Sequence, residues 1–228
     1  MQDRSIKQNE AQKAYECMKM GGLAIIPSKV GYTLIGNCEK AISKMFAIKG
    51  RPLSRPCVVL TRRDLLDELA EVTEKYIPFI NAIQKSKMLC GFILKRKSNR
   101  LFDSLDQYTN QYSQRANGTS CFVINGGGYF QYLIDHAYTD GTLVVGSSAN
   151  KSGTGNEGTF MNIPQNIREE VDYAIEDNAY IWQNYNPATR EQGVMVDITG
   201  DKPVIVRKGL KFTEIAKIIE EQTGIKIA

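Results

Sequence analysis

The chain has 228 residues, of which 42% are hydrophobic and 24% are charged. These fractions are close to globular averages and exclude a disordered or fibrous chain. The length is enough for a hydrophobic core, and we predict a single domain over residues 1–228. The formal net charge of +4 is mildly basic. We interpret most of the lysines and arginines as solvated surface residues, with a nucleic-acid face as the alternative.

The five cysteines are scattered, and none belongs to a C-x-x-C pair. Because His136 is the single histidine, we expect no protein-held metal. The cysteines instead indicate buried thiols in a reducing compartment. Residues 1–10 contain no apolar signal region, and no apolar run is long enough to cross a membrane. We therefore expect a cytoplasmic protein without a membrane partner.

Apolar spacing and Gly or Pro breaks predict the secondary structure. In chain order, we predict a helix over 8–20, a strand over 23–26, a helix over 39–48, a strand over 57–60, helical segments in two pieces over 64–84, a strand over 92–94, a long loop over 97–117, a strand over 120–124, a helix over 129–137, a strand over 142–145, a turn-rich segment over 146–160, a helix near 164–170, strands near 171–175, 193–198 and 203–207, and a helix over 212–223. This alternation predicts an α/β or α+β fold with a mixed sheet.

A cationic motif lies between the second predicted helix and the strand that follows it. It reads Lys49-Gly-Arg51-Pro-Leu-Ser-Arg55-Pro56 and places three cations within seven residues. The prolines restrict the backbone, so the cations are partly pre-organised for an anion. Arginine can direct two donors at phosphate oxygens, whereas lysine supplies a point charge. The alternative is an ordinary solvated turn.

A loop of small residues follows the apolar strand at 142–145. It reads Gly146-Ser-Ser-Ala-Asn150-Lys-Ser-Gly153. Small residues leave backbone N–H groups open to close approach by an anion, and the hydroxyls and the amide add neutral donors. The alternative is a plain turn rich in Ser, Asn and Gly. The loop matches neither a Walker motif nor a dinucleotide fingerprint.

Together the two motifs resemble the YrdC/Sua5/YciO family, over roughly residues 8–212. The combination of Lys-x-Arg-Pro at 49–52 with Ser-Ala-Asn-x-Ser-Gly at 148–153 is specific, although either motif alone is weak. The resemblance implies a twisted mixed sheet with flanking helices and a concave basic face. The predicted helix at 212–223 follows the matching region.

The resemblance also implies a nucleotide site. Arg51 and Arg55 match family residues that hold the triphosphate or adenylate, and Lys49 completes that clamp. Lys49 and Arg51 are the expected catalytic residues. The other expected nucleotide-binding residues are Thr119, Ser148, Asn150, Asn156 and Arg207.

The resemblance is weaker where the family binds its amino acid. Ser28 keeps a hydroxyl where threonine is usual, and Lys29 with Val30 replaces an acidic-Thr pair, while Tyr32 is kept. The expected substrate-binding residues are Ser28, Lys29, Tyr32, Gly146 and Gly193.

Two further departures concern the carboxylate of the amino acid. Val123 occupies the position of an arginine that pairs with the threonine carboxylate, and Leu60 that of a common histidine. A buried carboxylate without a partner is costly. L-Threonine is therefore expected to bind poorly, unless Lys29 supplies the missing cation.

The implied reaction joins ATP, bicarbonate and a small amine, either L-threonine or another. Bicarbonate and the amine give a carbamate, whose oxygen attacks the α-phosphorus of ATP and displaces pyrophosphate. This chemistry needs in-line positioning and cations, with Mg²⁺ carried by the nucleotide, but no protein nucleophile. In the best-characterised relatives, the product threonylcarbamoyl-AMP serves t6A modification of tRNA.

Three hypotheses follow from the sequence. The chain is an enzyme that forms a carbamoyl-type adenylate, an RNA-binding module, or a paralogue that binds a nucleotide without turnover. The cluster of Lys49, Arg51, Arg55 and Arg207 favours a nucleotide. The absence of aromatic residues interleaved with these cations counts against a single-stranded RNA platform. We predict that His136 is structural rather than a catalytic base.

Overall fold

The computed structural model describes residues 7–227. Residues 1–6 and 228 lie outside this range. They belong to the predicted domain, and residues 1–6 are also part of the N-terminal segment 1–10. The strands of the described range are β1 (Ala24–Ser28), β2 (Gly31–Gly36), β3 (Val58–Leu60), β4 (Cys90–Lys95), β5 (Thr119–Ile124), β6 (Val144–Ser148), β7 (Tyr173–Ala174), β8 (Val194–Asp197) and β9 (Val204–Arg207). They form one sheet in the order β7-β1-β2-β6-β3-β5-β4-β8-β9.

Helices cover this sheet. They are α1 (Gln8–Lys19), α2 (Glu39–Lys49), α3 (Arg63–Leu69), α4 (Ile77–Ser86), α5 (Arg100–Asp103), α6 (Gln107–Tyr112), α7 (Gly128–Thr139), α8 (Gln165–Glu170), α9 (Asn178–Trp182) and α10 (Phe212–Thr223). Helices α1, α7 and α9 pack against β1, α2 packs against β2, and α10 packs against α4. In the part of the chain that the structure describes, no helix combines the length and apolar character needed to cross a bilayer.

The sheet is mixed, as the sequence predicts. The pairs β1–β7, β3–β5 and β4–β8 are parallel, and the other neighbouring pairs are antiparallel. Every residue of β1, β2 and β5 is buried. Because successive strand residues face opposite sides, both faces of these strands are covered. The α/β prediction with a mixed sheet and flanking helices is confirmed.

The sequence reading missed a hairpin near the N-terminus. β1 continues through Pro27 to Ser28, beyond the predicted end at residue 26, and β2 follows after a two-residue turn. Pro27 is tolerated because β7 pairs only with Ala24 and Ile25, so the missing N–H interrupts no ladder on that side.

Strand β6 is longer than predicted and extends into the segment expected to be turn-rich. Gly146, Ser147 and Ser148 pair with β2, and Gly146 also pairs with β3. This pairing overrides the turn preference of the Gly and Ser residues. The irregular loop therefore begins after Ser148.

The prediction of one long loop over 97–117 is wrong, because α5 and α6 lie within it. Asn99 caps α5, its side-chain oxygen accepting from Leu101 N at 2.8 Å. Asp106 caps α6 by accepting from Thr109 N, also at 2.8 Å. Capping oxygens stabilise helices that are too short to show apolar periodicity. The predicted two-piece helical segment at 64–84 is confirmed as α3 and α4.

Candidate functional site

A cavity of about 860 Å³ opens on one side of the sheet. Most of its polar wall comes from the C-terminus of α2, the segments that precede β3 and β5, and the loop after β6. The cations that line it are Lys49, Arg51, Arg55, Arg115 and Arg207. Among the residues described, no Asp or Glu lines the cavity, and none of these five cations forms an ion pair with a carboxylate. The wall therefore carries a strong uncompensated positive charge.

Lys49 joins the two sequence motifs. It is the last residue of α2, which ends at Gly50 in the left-handed conformation with φ 57°. The Lys49 ammonium donates to the Ser148 carbonyl oxygen and, at 2.7 Å, to the Asn150 carbonyl oxygen. Its own carbonyl accepts from Ser152 N at 3.1 Å. Burial, followed by the charge of Arg51, lowers the pKa of Lys49 to about 7.

Arg51 is fixed by its own turn. Nε donates to the Arg55 carbonyl and Nη2 to the Pro56 carbonyl, both at 2.7 Å. Burial lowers the pKa of Arg51, but arginine remains charged at neutral pH. A guanidinium has five N–H bonds, so donors remain for a ligand after these two are used. Arg55 is exposed and lines the cavity from the same turn.

Arg207, at the end of β9, is held in a similar way. Its Nε donates to the Gly193 carbonyl and its Nη1 to Gln192 Oε1, both at 2.8 Å. Burial lowers the pKa of Arg207 below its ordinary value. The guanidinium is thus pre-oriented at the cavity, although β9 is four strands from β3 in the sheet order.

Two buried amides leave acceptor oxygens without partners. Asn150 and Asn156 are 1% and 4% exposed, and both line the cavity. Asn150 Nδ2 donates to the Lys151 carbonyl, and Asn156 Nδ2 donates to the Val30 carbonyl. Neither Oδ1 atom has a hydrogen-bond partner. Buried polar atoms are normally satisfied, so these two oxygens indicate a ligand that brings donors or a cation.

Two cysteines line the same cavity, but they are poor nucleophiles. Burial raises the pKa of both Cys57 and Cys121 to about 11. The thiol, rather than the reactive thiolate, therefore predominates at neutral pH. His136 lies outside the cavity, with its ring 4.2 Å from that of Tyr132. The side chains that line the cavity thus favour binding and positioning over nucleophilic catalysis.

The structure brings nine of the sequence-predicted residues to this cavity: Ser28, Lys49, Arg51, Arg55, Ser148, Asn150, Asn156, Gly193 and Arg207. Within the described range, they come from segments up to 179 residues apart, between Ser28 and Arg207. Ser28 is buried, and its hydroxyl donates to the Gly31 carbonyl at 2.8 Å.

Four predicted residues do not line the cavity. Tyr32 is fully buried, and its hydroxyl donates to Asn178 Oδ1 at 2.8 Å, which indicates a structural role. Lys29 Nζ donates to the Lys87 carbonyl at 3.0 Å. Thr119 Oγ1 donates to Asn117 Oδ1 at 2.7 Å and so holds the side chain of Asn117, which lines the cavity.

The fourth is Gly146, where close packing against the neighbouring strand requires a glycine. A Cβ at this position would lie 2.6 Å from the Leu34 carbonyl oxygen on the neighbouring strand. The cavity wall at this level is formed instead by Ser147 and Ser148.

Among the polar residues of the wall that the sequence did not predict are Arg115, Asn117 and Gln192. Arg115 and Asn117 belong to the segment expected to be an irregular loop. Their signal is a cation shortly before a predicted strand, as in the turn at 49–56. Gln192 precedes β8 and contacts Arg207.

Comparisons with known proteins show which family the chain belongs to. A Sua5/YciO/YrdC family model, described as telomere recombination, matches residues 16–209. No curated protein sequence matches the chain significantly. Among solved structures, the hypothetical protein smu.1377c from Streptococcus mutans UA159 is 28% identical, with a TM-score of 0.81 over 92% of this chain and 91% of its own.

Two other solved structures share the fold at lower identity. E. coli YciO is 19% identical, with a TM-score of 0.64 over 90% of this chain and 91% of its own. P. abyssi Sua5 in complex with L-threonine is also 19% identical, with a TM-score of 0.71 over 99% of this chain but 61% of the longer Sua5 chain. Because the family match spans most of its length, the chain belongs to the Sua5/YciO/YrdC family.

Proposed function

We propose that this protein is an ATP-dependent, adenylate-forming enzyme of the threonylcarbamoyl-AMP synthase type. The observation that carries the proposal is the charge of the cavity, which has five cations and no carboxylate among the described lining residues. A triphosphate supplies the matching negative charge. Family membership and the likeness of the fold to Sua5 support the same assignment.

The proposed reaction has two balanced steps. The amine nitrogen attacks bicarbonate to give a carbamate and water. A carbamate oxygen then attacks the α-phosphorus of ATP, the bond to the β-phosphate oxygen breaks, and pyrophosphate leaves with that electron pair. Neither step needs a covalent intermediate on the protein, which agrees with the un-ionised state of Cys57 and Cys121.

In this proposal Arg51, Arg55 and Arg207 bind the phosphates and stabilise the charge that develops on the leaving pyrophosphate. The backbone bonds of Arg51 and Arg207 hold their guanidinium groups in place before ATP arrives. Pre-organised donors contribute more to a transition state than donors that must be ordered during the reaction. Lys49 acts mainly through the loop after β6, whose carbonyls it binds.

Magnesium would be carried largely by the phosphates, whose charge it would help to neutralise. In the described range, no cluster of three or more His, Cys, Asp or Glu residues could hold a metal ion. Mg²⁺ prefers hard oxygen ligands, and the unpartnered Oδ1 atoms of Asn150 and Asn156 are neutral oxygens of that type. These two amides are the candidate protein contacts of the ion.

The same site also bears on two alternatives to the proposed enzyme: RNA binding and nucleotide binding without turnover. RNA binding is disfavoured because Phe130 is the one aromatic residue among the described lining residues, whereas single-stranded nucleic acids need stacking platforms. Nucleotide binding without turnover would preserve the cation cluster but release no pyrophosphate.

The test is pyrophosphate release from ATP and bicarbonate, with L-threonine and other small amines supplied one at a time. The proposal expects release that requires both bicarbonate and an amine, and that is lost in Arg55→Ala but kept in the exposed control Arg100→Ala, on α5 outside the cavity. ATP binding without release for any amine would establish the binding-only alternative. Absence of ATP binding would exclude both.

A further inference from the structure

Glu157 is a buried carboxylate next to the cavity residue Asn156. It is 7% exposed, and among the described residues its one ion-pair partner is Arg190, whose Nη2 donates to Glu157 Oε1. Burial raises the pKa of Glu157, and the charge of Arg190 opposes this shift. Neither residue lines the cavity. Because replacing a buried ion pair with apolar residues is often neutral for stability, the pair points to a role in positioning its neighbours.

Arg190 contacts the segment around Asn156 through its backbone as well as its side chain. The Arg190 carbonyl accepts from Asn156 N at 3.0 Å. A Cβ on Gly155 would lie 2.7 Å from this carbonyl oxygen, so the close approach requires a glycine there. Arg190 has a φ of 51°, a left-handed conformation that residues other than glycine rarely adopt. Its carbonyl and its guanidinium therefore hold Asn156 and Glu157 from one side.

The other side of Asn156 faces the turn between β1 and β2. Asn156 Nδ2 donates to the Val30 carbonyl, and the Glu157 carbonyl accepts from Tyr32 N at 3.2 Å. A carbonyl oxygen can only accept, so the amide of Asn156 must direct Nδ2 at Val30 and Oδ1 away from it. Asn156 lines the cavity, and Oδ1 has no hydrogen-bond partner. The direction of this free oxygen thus depends on how Asn156 and Glu157 are held.

The chain that follows Arg190 is fixed independently of its side chain. Gln192 Oε1 and the Gly193 carbonyl accept from Arg207, both at 2.8 Å, and the Gln192 carbonyl accepts from Leu210 N at 2.8 Å. Loss of the Arg190 side chain should therefore leave Arg207 in place and act at Asn156.

We propose that Arg190 is a positioning residue of the nucleotide site, whose bond to Glu157 holds Asn156 Oδ1 toward bound Mg-ATP. The inference rests on the proposed function, in which Asn156 is a candidate contact of the magnesium ion. Arg190 does not line the cavity and acts through Glu157 and Asn156. An oxygen that is already aligned binds its ligand without a further ordering cost.

The test is calorimetric titration of Mg-ATP into the wild type, Arg190→Met and Glu157→Met. Each variant breaks the ion pair and is expected to weaken binding at least about fivefold, because a misaligned contact loses most of its effect. The two variants change the net charge in opposite directions. Long-range attraction to ATP alone would weaken binding in Arg190→Met but strengthen it in Glu157→Met. Unchanged or tighter binding in Glu157→Met would overturn the inference.

The same pair of variants separates positioning from stability. Arg190→Met leaves a buried carboxylate without a partner and should lower the free energy of unfolding, whereas Glu157→Met removes the buried charge. Weaker binding in Arg190→Met alone would assign a merely structural role and contradict the inference. If Arg190→Met does not fold, Glu157→Met still carries the test.

Two further variants serve as controls. Arg190→Lys should keep the wild-type affinity, because a single donor and one charge meet Glu157. Lys151→Met makes the same change in net charge as Arg190→Met, in the loop that precedes Asn156. The Lys151 side chain is exposed and forms no ion pair among the described residues, so affinity should be retained. Equal losses in Lys151→Met and Arg190→Met would reduce the effect to net charge and overturn the inference.

Asn156→Ala tests the route. It should weaken Mg-ATP binding by itself and remove the effect of Arg190→Met in the double variant, because coupled residues are not additive. Wild-type affinity in Asn156→Ala, or a full Arg190→Met effect in its background, would show that Arg190 does not act through Asn156. Failure of the wild type to bind Mg-ATP would contradict the proposed function itself, whereas wild-type binding that neither ion-pair variant weakens would contradict this inference alone.

Discussion

The Lys49 ammonium donates to the Asn150 carbonyl oxygen at 2.7 Å, although the two residues are 101 positions apart in the chain. This contact joins the Lys-x-Arg-Pro turn to the Ser-Ala-Asn loop. The contact also removes the ammonium from solvent, so the free energy of folding depends on whether Lys49 carries a proton. The two motifs therefore form one unit whose stability responds to pH.

The first prediction concerns the pH dependence of folding. The pKa of Lys49 is lowered from 10.5 to about 7 in the folded protein, so the unfolded state binds more protons between these values. Stability contributed by this residue should consequently rise as pH increases from 7 to 10. Thermal unfolding of wild type and Lys49→Met across this range checks the sign. The difference in stability between them should shift in favour of the wild type with rising pH, and a constant difference would contradict the assignment.

The second prediction concerns proton uptake on nucleotide binding. A bound triphosphate favours the charged form of Lys49 and raises its pKa, so ATP binding should take up protons near pH 7. Affinity for Mg-ATP should fall as pH rises above 7. Calorimetry in buffers of different ionisation enthalpy measures this uptake directly, and Lys49→Met should abolish it. Uptake that is unchanged in Lys49→Met would assign the proton to another group.

The third prediction contrasts two arginines of the same turn. Arg55 is exposed and makes no side-chain hydrogen bond within the described residues, so Arg55→Ala should change the free energy of unfolding by less than about 0.5 kcal/mol. Arg51→Ala also loses two bonds to carbonyls, at about 1 kcal/mol each. Both variants should weaken ATP binding by roughly ten- to a hundredfold.

Denaturant unfolding and ATP calorimetry on Arg51→Ala, Arg55→Ala and Arg100→Ala provide the comparison. The loss of stability expected for Arg51→Ala distinguishes this turn from a solvated one, in which Arg51 would contribute little to folding. Equal stability of Arg51→Ala and Arg55→Ala would show that the two carbonyl bonds have no net effect.

The fourth prediction concerns the capping of α6. Asp106 accepts from Thr109 N at 2.8 Å and from Glu39 N at 2.7 Å, so it joins the first turns of α6 and α2. Asp106→Ala should lower the free energy of unfolding by about 1–2 kcal/mol. The exposed Asp103 on α5 forms no ion pair within the described part of the chain, so Asp103→Ala is the matched control. Similar stability of the two variants would contradict the capping role.

The sequence alone predicts the fold class, most helices and strands, and the two motifs that meet at the cavity. Long amphipathic segments such as α1 and apolar strands such as β5 carry strong local patterns. The two short helices within 97–117 escape a local pattern because they are too short to show apolar periodicity, and capping by Asn99 and Asp106 helps to stabilise them. The composition of Ser147 and Ser148 predicts a turn because their pairing with β2 cannot be read from local sequence.

The side-chain directions at the site depend on tertiary contacts that no local pattern contains. Lys29 and Tyr32 lie beside cavity residues in the sequence, but their side chains bind Lys87 and Asn178 outside it. Arg115 carries no motif and reaches the cavity because the strand that follows it pairs with β3 and β4.

The most direct measurement is calorimetric titration of Mg-ATP into the wild-type protein and into Arg55→Ala, whose fold should be intact. The account predicts one bound nucleotide per chain in the wild type, and at least about tenfold weaker binding in the variant. Absence of binding to the wild type, or equal affinity in the two proteins, would contradict a nucleotide site in this cavity.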